Sequence, residues 1–506
     1  MKRLKSLIAS TLVSAFVLSA VACAPTTPVT TPAAGTTPAG TTVAGTTTAA
    51  STPAATTAGG TTTAATTAAG TTAGTKDTGK VLNVWAWNDE FKGLFETYFV
   101  AKGKLPAGVE VKFTIVPNND NAYQNALDEA LLKQATAPED EKIDLFLVEA
   151  DYALKYVDSD YTLDVKKDVG LTDAELAGQY KYTQDIVTDS KGILKGSSWQ
   201  ATPGLFAYRR SIAKAVLGTD DPVEVQKALA DWDKFNGVAE KANAKGYKML
   251  SGFDDSYRTF SNNMKSKWVD ANNNIILDPN IQKWIEQTKT FTEKGYNNKS
   301  SLWNDQWSAD QGPSGKVFGF FLSTWGINFT LLGNALATPL PSGLSATSDP
   351  AAYKKATEGN GIFGDYAVVE GPQNYYWGGS WLCAAKGSDN LGLVRDIMYT
   401  MTIDKATLTN ITKDTQDFTN NIAAMEALAA DDNFASAFLG GQNHIKLFAE
   451  SAKGIDMSNI SPYDQGMTEE IQTAFADYFN GTVNYDTALN NFYKAAIEKY
   501  PELKRP

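Results

Sequence analysis

From about residue 80 onward the order of apolar and polar positions changes character repeatedly, and each change marks an element. "KVLNVWAW" places Val81, Leu82, Val84 and Trp85 in a run that reads as a buried strand, with Trp85 in the core. "NDEFKGLFETYFV" then spaces Phe91, Leu94, Phe95 and Tyr98 as a helix does, with acids in the first turn. "VEVKFTIV" (109–116) alternates like a strand, "AYQNALDEALLKQ" is helical, and "KIDLFLVEAD" is again a buried strand. Strand, helix, strand, helix, strand is the signature of a mainly parallel α/β sheet. Ligands of such sheets lie beyond the carboxyl ends of the strands. Those ends carry Trp87, Asn88, Asp89 and Glu90, and Glu149, Asp151 and Tyr152. Helix N-capping would equally account for Asp89 and Glu90.

The next section has another rhythm. "DSKGILKGSSWQATPGLFAYRR" reads as a hairpin with glycines at its turns, and "VQKALADWDKFNGVAEKA" and "PNIQKWIEQTKTFTEKG" read as helical stretches. "GKVFGFFLSTWG" is a strand that stops at Trp325, and "DYAVVEGP" (365–372) is a buried strand leading into "NYYWGGSW". The tail is helical in "IAAMEALAADDNFASAFL", "TEEIQTAFADYF" and "YDTALNNFYKAAIEKY". About 430 such residues exceed one core, so two lobes are expected.

The amino end contrasts with all of this. Lys2, Arg3 and Lys5 precede an apolar run from Leu7 to Ala22, the pattern of a signal peptide over 1–22. Two cuts fit: an A-x-A site at Ala20-Val21-Ala22, or a lipobox-like site that leaves Cys23 lipid-modified, with Ala20 where lipoboxes usually carry Leu. The lipid reading is preferred because the following stretch, to Thr75, is almost entirely Thr, Ala, Gly and Pro without a charge. Such a stretch buries no core and serves as a tether, roughly 40 Å end to end as a coil. The expected organisation is therefore signal peptide 1–22, linker 23–78, first lobe 79–185, second lobe 186–364, first-lobe return 365–412 and second-lobe carboxyl helices 413–506.

Composition narrows the chemistry. Among 506 residues there are 57 Asp and Glu against 45 Lys and Arg, a net charge of −12, which argues against nucleic acid. With one histidine, His444, and two cysteines, Cys23 and Cys383, a His-rich zinc site is impossible, and no nucleophile motif accompanies His444. With Cys23 lipidated, Cys383 has no partner for a disulfide. No phosphate-binding G-x-x-x-x-G-K-[ST] loop is present. "DANNNIILD" opens like a calcium loop at Asp270, Asn272 and Asn274, but Ile275 stands where glycine is needed and Ile281 where glutamate is needed, so it reads as a turn. No catalytic residue, metal ligand or cofactor is assigned.

The ordered set "VLNVWAWNDEF", "IDLFLVEADYALKYVDSDY", "GILKGSSWQATPGLFAYRR", "GKVFGFFLSTWGI" and "YYWGGSWLCAAKGSDN" resembles the extracellular carbohydrate-binding lipoproteins of bacterial ABC sugar importers, the maltose-binding-protein group. The resemblance runs from about Val81 to Leu503. It implies a two-lobed, periplasmic-binding-protein-like α/β fold of type II, with an oligosaccharide held between the lobes. It further implies delivery to permease subunits, no chemistry on the sugar, and a monomer lipid-anchored at the outer face of the plasma membrane.

The residues suit such a ligand. A pyranose offers C–H faces to aromatic rings and rim hydroxyls to planar carboxylates and amides. Burying one tryptophan contributes at most about 5 kcal/mol, and a micromolar complex needs about 8 kcal/mol. Besides the strand-end residues, the resemblance assigns Trp199, Gln200, Trp325, Trp377, Trp381, Tyr463 and Asp464 to the cleft. Gly378 and Gly379 would let backbone approach a sugar, although a bulge packed against a lobe would also explain them. Trp232, Trp268 and Trp284 read as packing, and Trp303 and Trp307 fit either role. An extracellular carbohydrate-active enzyme using a pair such as Glu149 and Asp151, or a surface glycan adhesin or sensor, are the competing readings.

Overall fold

The computed structural model describes residues 77–506. The signal peptide, Cys23 and the tether as far as residue 76 lie outside the described residues.

The first sheet begins with β1 (Val81–Ala86), whose neighbour β2 (Glu110–Ile115) runs parallel from Val81↔Glu110 to Ala86↔Ile115. β3 (Leu145–Glu149) lies parallel on the other side, with Val84 opposite Leu145. Four of its five residues are buried, as a strand covered on both faces requires. The chain continues through β4 (Ser197–Ser198), β5 (Gly204–Arg209), β6 (Gly319–Ser323), β7 (Tyr366–Val369) and β8 (Ser380–Ala384). β8 enters the first sheet antiparallel to β3, and β4 closes it, giving the order β2-β1-β3-β8-β4. The second sheet is antiparallel throughout, in the order β6-β5-β7.

Sheet membership corrects two expected boundaries. β4 belongs to the first sheet, so the second sheet starts at Gly204, not near 186. β7 pairs with β5, so the chain leaves the second sheet after Val369 instead of at 365. A four-residue buried run reads the same whichever sheet receives it.

Helix starts follow local chemistry. Three helices open at Asp-Pro, at Asp221, Asp278 and Asp349, where the proline suits the first helical position and the aspartate accepts a backbone N–H of the first turn. Both sheets share one apolar core. A second core, built on Trp268, Trp284, Phe475, Phe479 and Phe492, joins helices 257–261 and 279–293 to the carboxyl-terminal helices 464–480 and 485–499. Trp268 and Trp284 are thus packing residues, and Trp232 stacks on Phe260 at 4.5 Å between the two cores. The calcium-like segment is a turn: Val269 bridges Ile275, and the Asp270 carboxylate accepts from the N–H groups of Asn272 and Asn274. His444 is buried with Nε2 2.7 Å from the Gln416 carbonyl, and burial lowers its pKa to about 4.

Three chain segments cross between the sheets and are laced together. Ala201 N–H donates to Phe418 O (3.1 Å) and Asn420 N–H to Trp199 O (2.7 Å). Gly204 N–H donates to Tyr375 O (2.8 Å) and Trp377 N–H to Thr202 O (3.2 Å). The crossings at 199–203, 370–379 and 416–421 therefore form a hinge ladder.

Candidate functional site

The hinge accounts for several residues expected at a ligand. Trp199 is 1 % exposed and packs on Phe91 at 5.3 Å, so it is core. Gln200 is buried and donates from Nε2 to Glu90 (2.8 Å) and Asp417 (3.0 Å), tying the first helix to the third crossing. Trp381, also 1 % exposed, donates its indole N–H to Thr183 O at 2.8 Å. None of the three lines the cavity around Asp151 and Arg258: Gln200 and Trp381 are held in the hinge by hydrogen bonds and packing, and Trp199 by packing alone, its buried indole N–H having no partner. Tyr463 turns instead towards the carboxyl terminus, against the Tyr500 ring (5.0 Å) and the Glu502 carboxylate (3.1 Å).

Other expected residues do converge. Glu149 ends β3 and Asp151 follows it; Glu149 Oε2 accepts the Asp151 N–H at 2.7 Å. The Asp151 carboxylate faces the Arg258 guanidinium in a two-pronged pair, with Nη1–Oδ1 at 2.6 Å. Arg258 lies on the helix of the second core, so the pair spans from the first sheet to the second lobe. Burial, with the Asp151 charge, pushes the Glu149 carboxyl up to about 8, and Arg258 opposes. Ala150, Asp151, Arg258, Tyr376, Asp464 and Thr468 face one cavity. Burial raises Asp464 to about 6, although Ser461 hydrogen-bonds it through its hydroxyl (2.7 Å) and N–H (3.0 Å).

Beside this polar wall stands an aromatic one. Trp325, just after β6, is half-buried and donates its indole N–H to Trp377 O at 3.0 Å. The two rings meet edge to face, 5.2 Å apart. Gly378 joins the walls: at φ 70°, a Cβ there would lie 3.2 Å from Trp325 Nε1 and 3.4 Å from Glu149 Oε1. Gly379, at φ 113°, has no room either, with Trp381 and Thr202 within 3.2 Å of a Cβ. On the first sheet's rim, Trp87 is half-buried edge-on between Tyr123 (5.7 Å) and Tyr152 (6.2 Å). The Tyr152 hydroxyl is buried without a partner. Asn88 accepts the Glu90 N–H at 3.1 Å, and Asp89 caps the helix without a side-chain bond. The Glu90 carboxyl is raised by the protein crowded around it and by Asp417.

Arg258 and Tyr376, which face the cavity, and Asp417, which braces the hinge, were not expected. No local pattern marks them, since their partners lie far away in sequence. Arginine is rare in this chain, however, and three of the four internal arginines, Arg209, Arg258 and Arg395, pair with a carboxylate, while Arg210 donates to backbone carbonyls. Among the described residues no cluster of three or more metal-ligating side chains is present.

Among solved structures, a binding protein associated with an ABC transporter of Bifidobacterium animalis subsp. lactis, in complex with β-1,6-galactobiose, superposes with a TM-score of 0.61 at 17 % identity, over 84 % of this chain and 99 % of that one. The GacH receptor of Streptomyces glaucescens, solved unliganded and with acarbose, gives 0.58 at 16 % identity, over 84 % and 99 %. The galacto-N-biose/lacto-N-biose I-binding protein of Bifidobacterium longum, in complex with lacto-N-biose, gives 0.60 at 12 % identity, over 84 % and 96 %. These likenesses establish the type II, two-lobed binding-protein fold. No curated protein matches the chain by sequence. The sequence profile described as "Bacterial extracellular solute-binding protein" matches residues 101–437, more than half of the chain, and the chain belongs to that family.

Proposed function

We propose that this protein captures an oligosaccharide between its lobes and hands it, unaltered, to the permease subunits of an ABC transporter. The observation that carries the reading is the meeting of two walls at Gly378. Trp325, half-buried and set edge-to-face on the buried Trp377, supplies an apolar face, Glu149 stands beside it at Gly378, and the neighbouring carboxyls of Asp151 and Asp464 face one cavity. A protonated Glu149 donates to a sugar oxygen as well as accepting from a hydroxyl. Trp87, Asn88, Asp89, Glu90 and Tyr152 extend the polar and aromatic rim on the first lobe. Sugars bound to the structural neighbours support the ligand class.

The bidentate engagement of Asp151 by Arg258 favours binding over hydrolysis, because it withdraws that carboxylate from attack or base chemistry. The amino-terminal pattern supports export and a lipid anchor at Cys23, by which the protein, acting as a monomer, would be held at the outer face of the plasma membrane or, without the lipid, be secreted. The first lobe would comprise the β2-β1-β3-β8-β4 sheet, and the second the β6-β5-β7 sheet with the carboxyl-terminal helices.

Titration calorimetry with malto-, xylo-, manno- and galacto-oligosaccharides tests this, with the sugar recovered and checked for cleavage. Saturable micromolar binding of one series, recovered intact, is expected; turnover would replace the reading with an enzyme.

A further inference from the structure

Four large hydrophobic side chains are exposed among the described residues, and two of them, Trp303 (53 % exposed) and Phe329 (72 %), stand together. A lone exposed apolar residue carries no message, but a contiguous group does. The group is continuous with the aromatic wall of the cleft. The Trp303 ring lies nearly parallel to Trp325, 5.9 Å away at 18°, and 5.9 Å from Trp377 at 57°. Phe329 stands edge-on to both Trp303 (6.4 Å) and Trp325 (6.2 Å).

The backbone at Trp303 has φ 70°, a left-handed conformation that a bulky residue rarely adopts. Such a conformation in a bulky residue persists where the surroundings impose it. Here Trp307, buried beneath at 5.1 Å, anchors the loop by donating its indole N–H to Asp255 at 3.0 Å. The exposed Asp305, two residues after Trp303, offers a carboxylate to hydroxyl groups.

We propose that Trp303 and Phe329 form an outer stacking shelf that holds the sugar units protruding beyond Trp325 and Trp377, so that the protein selects glycans of several units over disaccharides. The proposal rests on the oligosaccharide reading above. It commits to sugar as the occupant because the shelf continues the candidate cleft and presents rings in succession from its wall to solvent.

The test is calorimetry on the full chain with one glycan series from two to six units, for the wild type, Trp303→Ala, Phe329→Ala and Trp303→Phe. The expected wild-type affinity rises about tenfold from the disaccharide to the longer glycans. Trp303→Ala and Phe329→Ala should each remove most of that rise while leaving disaccharide affinity within about twofold. Trp303→Phe, which keeps a ring, should restore most of the rise. Should the alanine variant not fold, Trp303→Gly suits the backbone angle and takes its place. Wild-type affinity independent of length, or an equal loss for short and long glycans, overturns the shelf while leaving the cleft standing. Failure of every series to bind the wild type removes the sugar reading itself and the shelf with it.

Discussion

Trp325 and Trp381 look alike in sequence, each beside glycine or serine at the end of a strand, yet they occupy opposite situations. Trp325 keeps part of its face free, whereas Trp381 is enclosed and its indole N–H is spent on Thr183. Trp325→Ala should therefore weaken sugar binding by about 2 kcal/mol, roughly thirtyfold, with the melting temperature nearly unchanged. Trp381→Ala should destabilise the fold by about 3–5 kcal/mol, read by thermal unfolding. The reverse pattern would exchange the two roles. A strand end next to glycine reveals bare backbone but not which way a ring turns, because that is decided by hinge partners hundreds of positions away. The same blindness put Trp199 and Gln200 in the cleft. The position of Glu149 and Asp151 at the carboxyl end of a buried strand, by contrast, is legible from the local pattern of β3 alone. Glu149 also carries a pH signature. Its folded pKa of about 8 exceeds its ordinary 4.5, so the folded state holds the proton more tightly and this group's contribution to stability falls as pH rises from about 4.5 to 8. Melting temperatures of Glu149→Gln against wild type across that range should diverge in the variant's favour as pH rises; parallel curves would refute the shift.

At the scale of elements, the strands and long helices were legible because their periodicity is local, and the sheets' membership was not. β7 and β8 are both short buried runs, and nothing within them says that one pairs with β5 and the other with β3. The partition is made by the three laced crossings. Gly204 shows how tightly they fit: a Cβ there would lie 2.1 Å from the Tyr375 ring, whose single hydroxyl proton is shared between Leu205 O (2.8 Å) and Leu322 O (3.0 Å). Gly204→Ala must push that ring from its bonds, so a loss of about 2–3 kcal/mol in denaturant unfolding is expected. An alanine variant as stable as wild type would mean that the crossings slide freely.

At the scale of the molecule, closure is an equilibrium, and a ligand shifts it only by its preference for the closed state. Two contacts bridge the lobes away from the hinge: the Asp151–Arg258 pair, and Gln465 Nε2 donating to Asn121 Oδ1 at 3.0 Å. Both join the lobes in this arrangement, so each contributes to its stability. The ion pair is partly shielded from water, with side chains 17 % and 23 % exposed, so removing one partner leaves the other charge partly buried and unpaired, a larger loss than at an exposed pair. A pair that holds the lobes together also lowers the cost the ligand must meet, and raises apparent affinity by the same factor that it raises the closed population. Arg258→Gln, which keeps a hydrogen-bonding head but no charge, should therefore open the sugar-free protein. Small-angle scattering should show a larger radius of gyration than wild type, and saturating sugar should restore the wild-type value. Gln465→Ala, outside the candidate ligand set, should act in the same direction with a smaller change. Superimposable scattering curves for wild type and Arg258→Gln without sugar would mean that the hinge ladder alone sets the lobe angle, and the ion pair would then be a consequence of closure and not a cause.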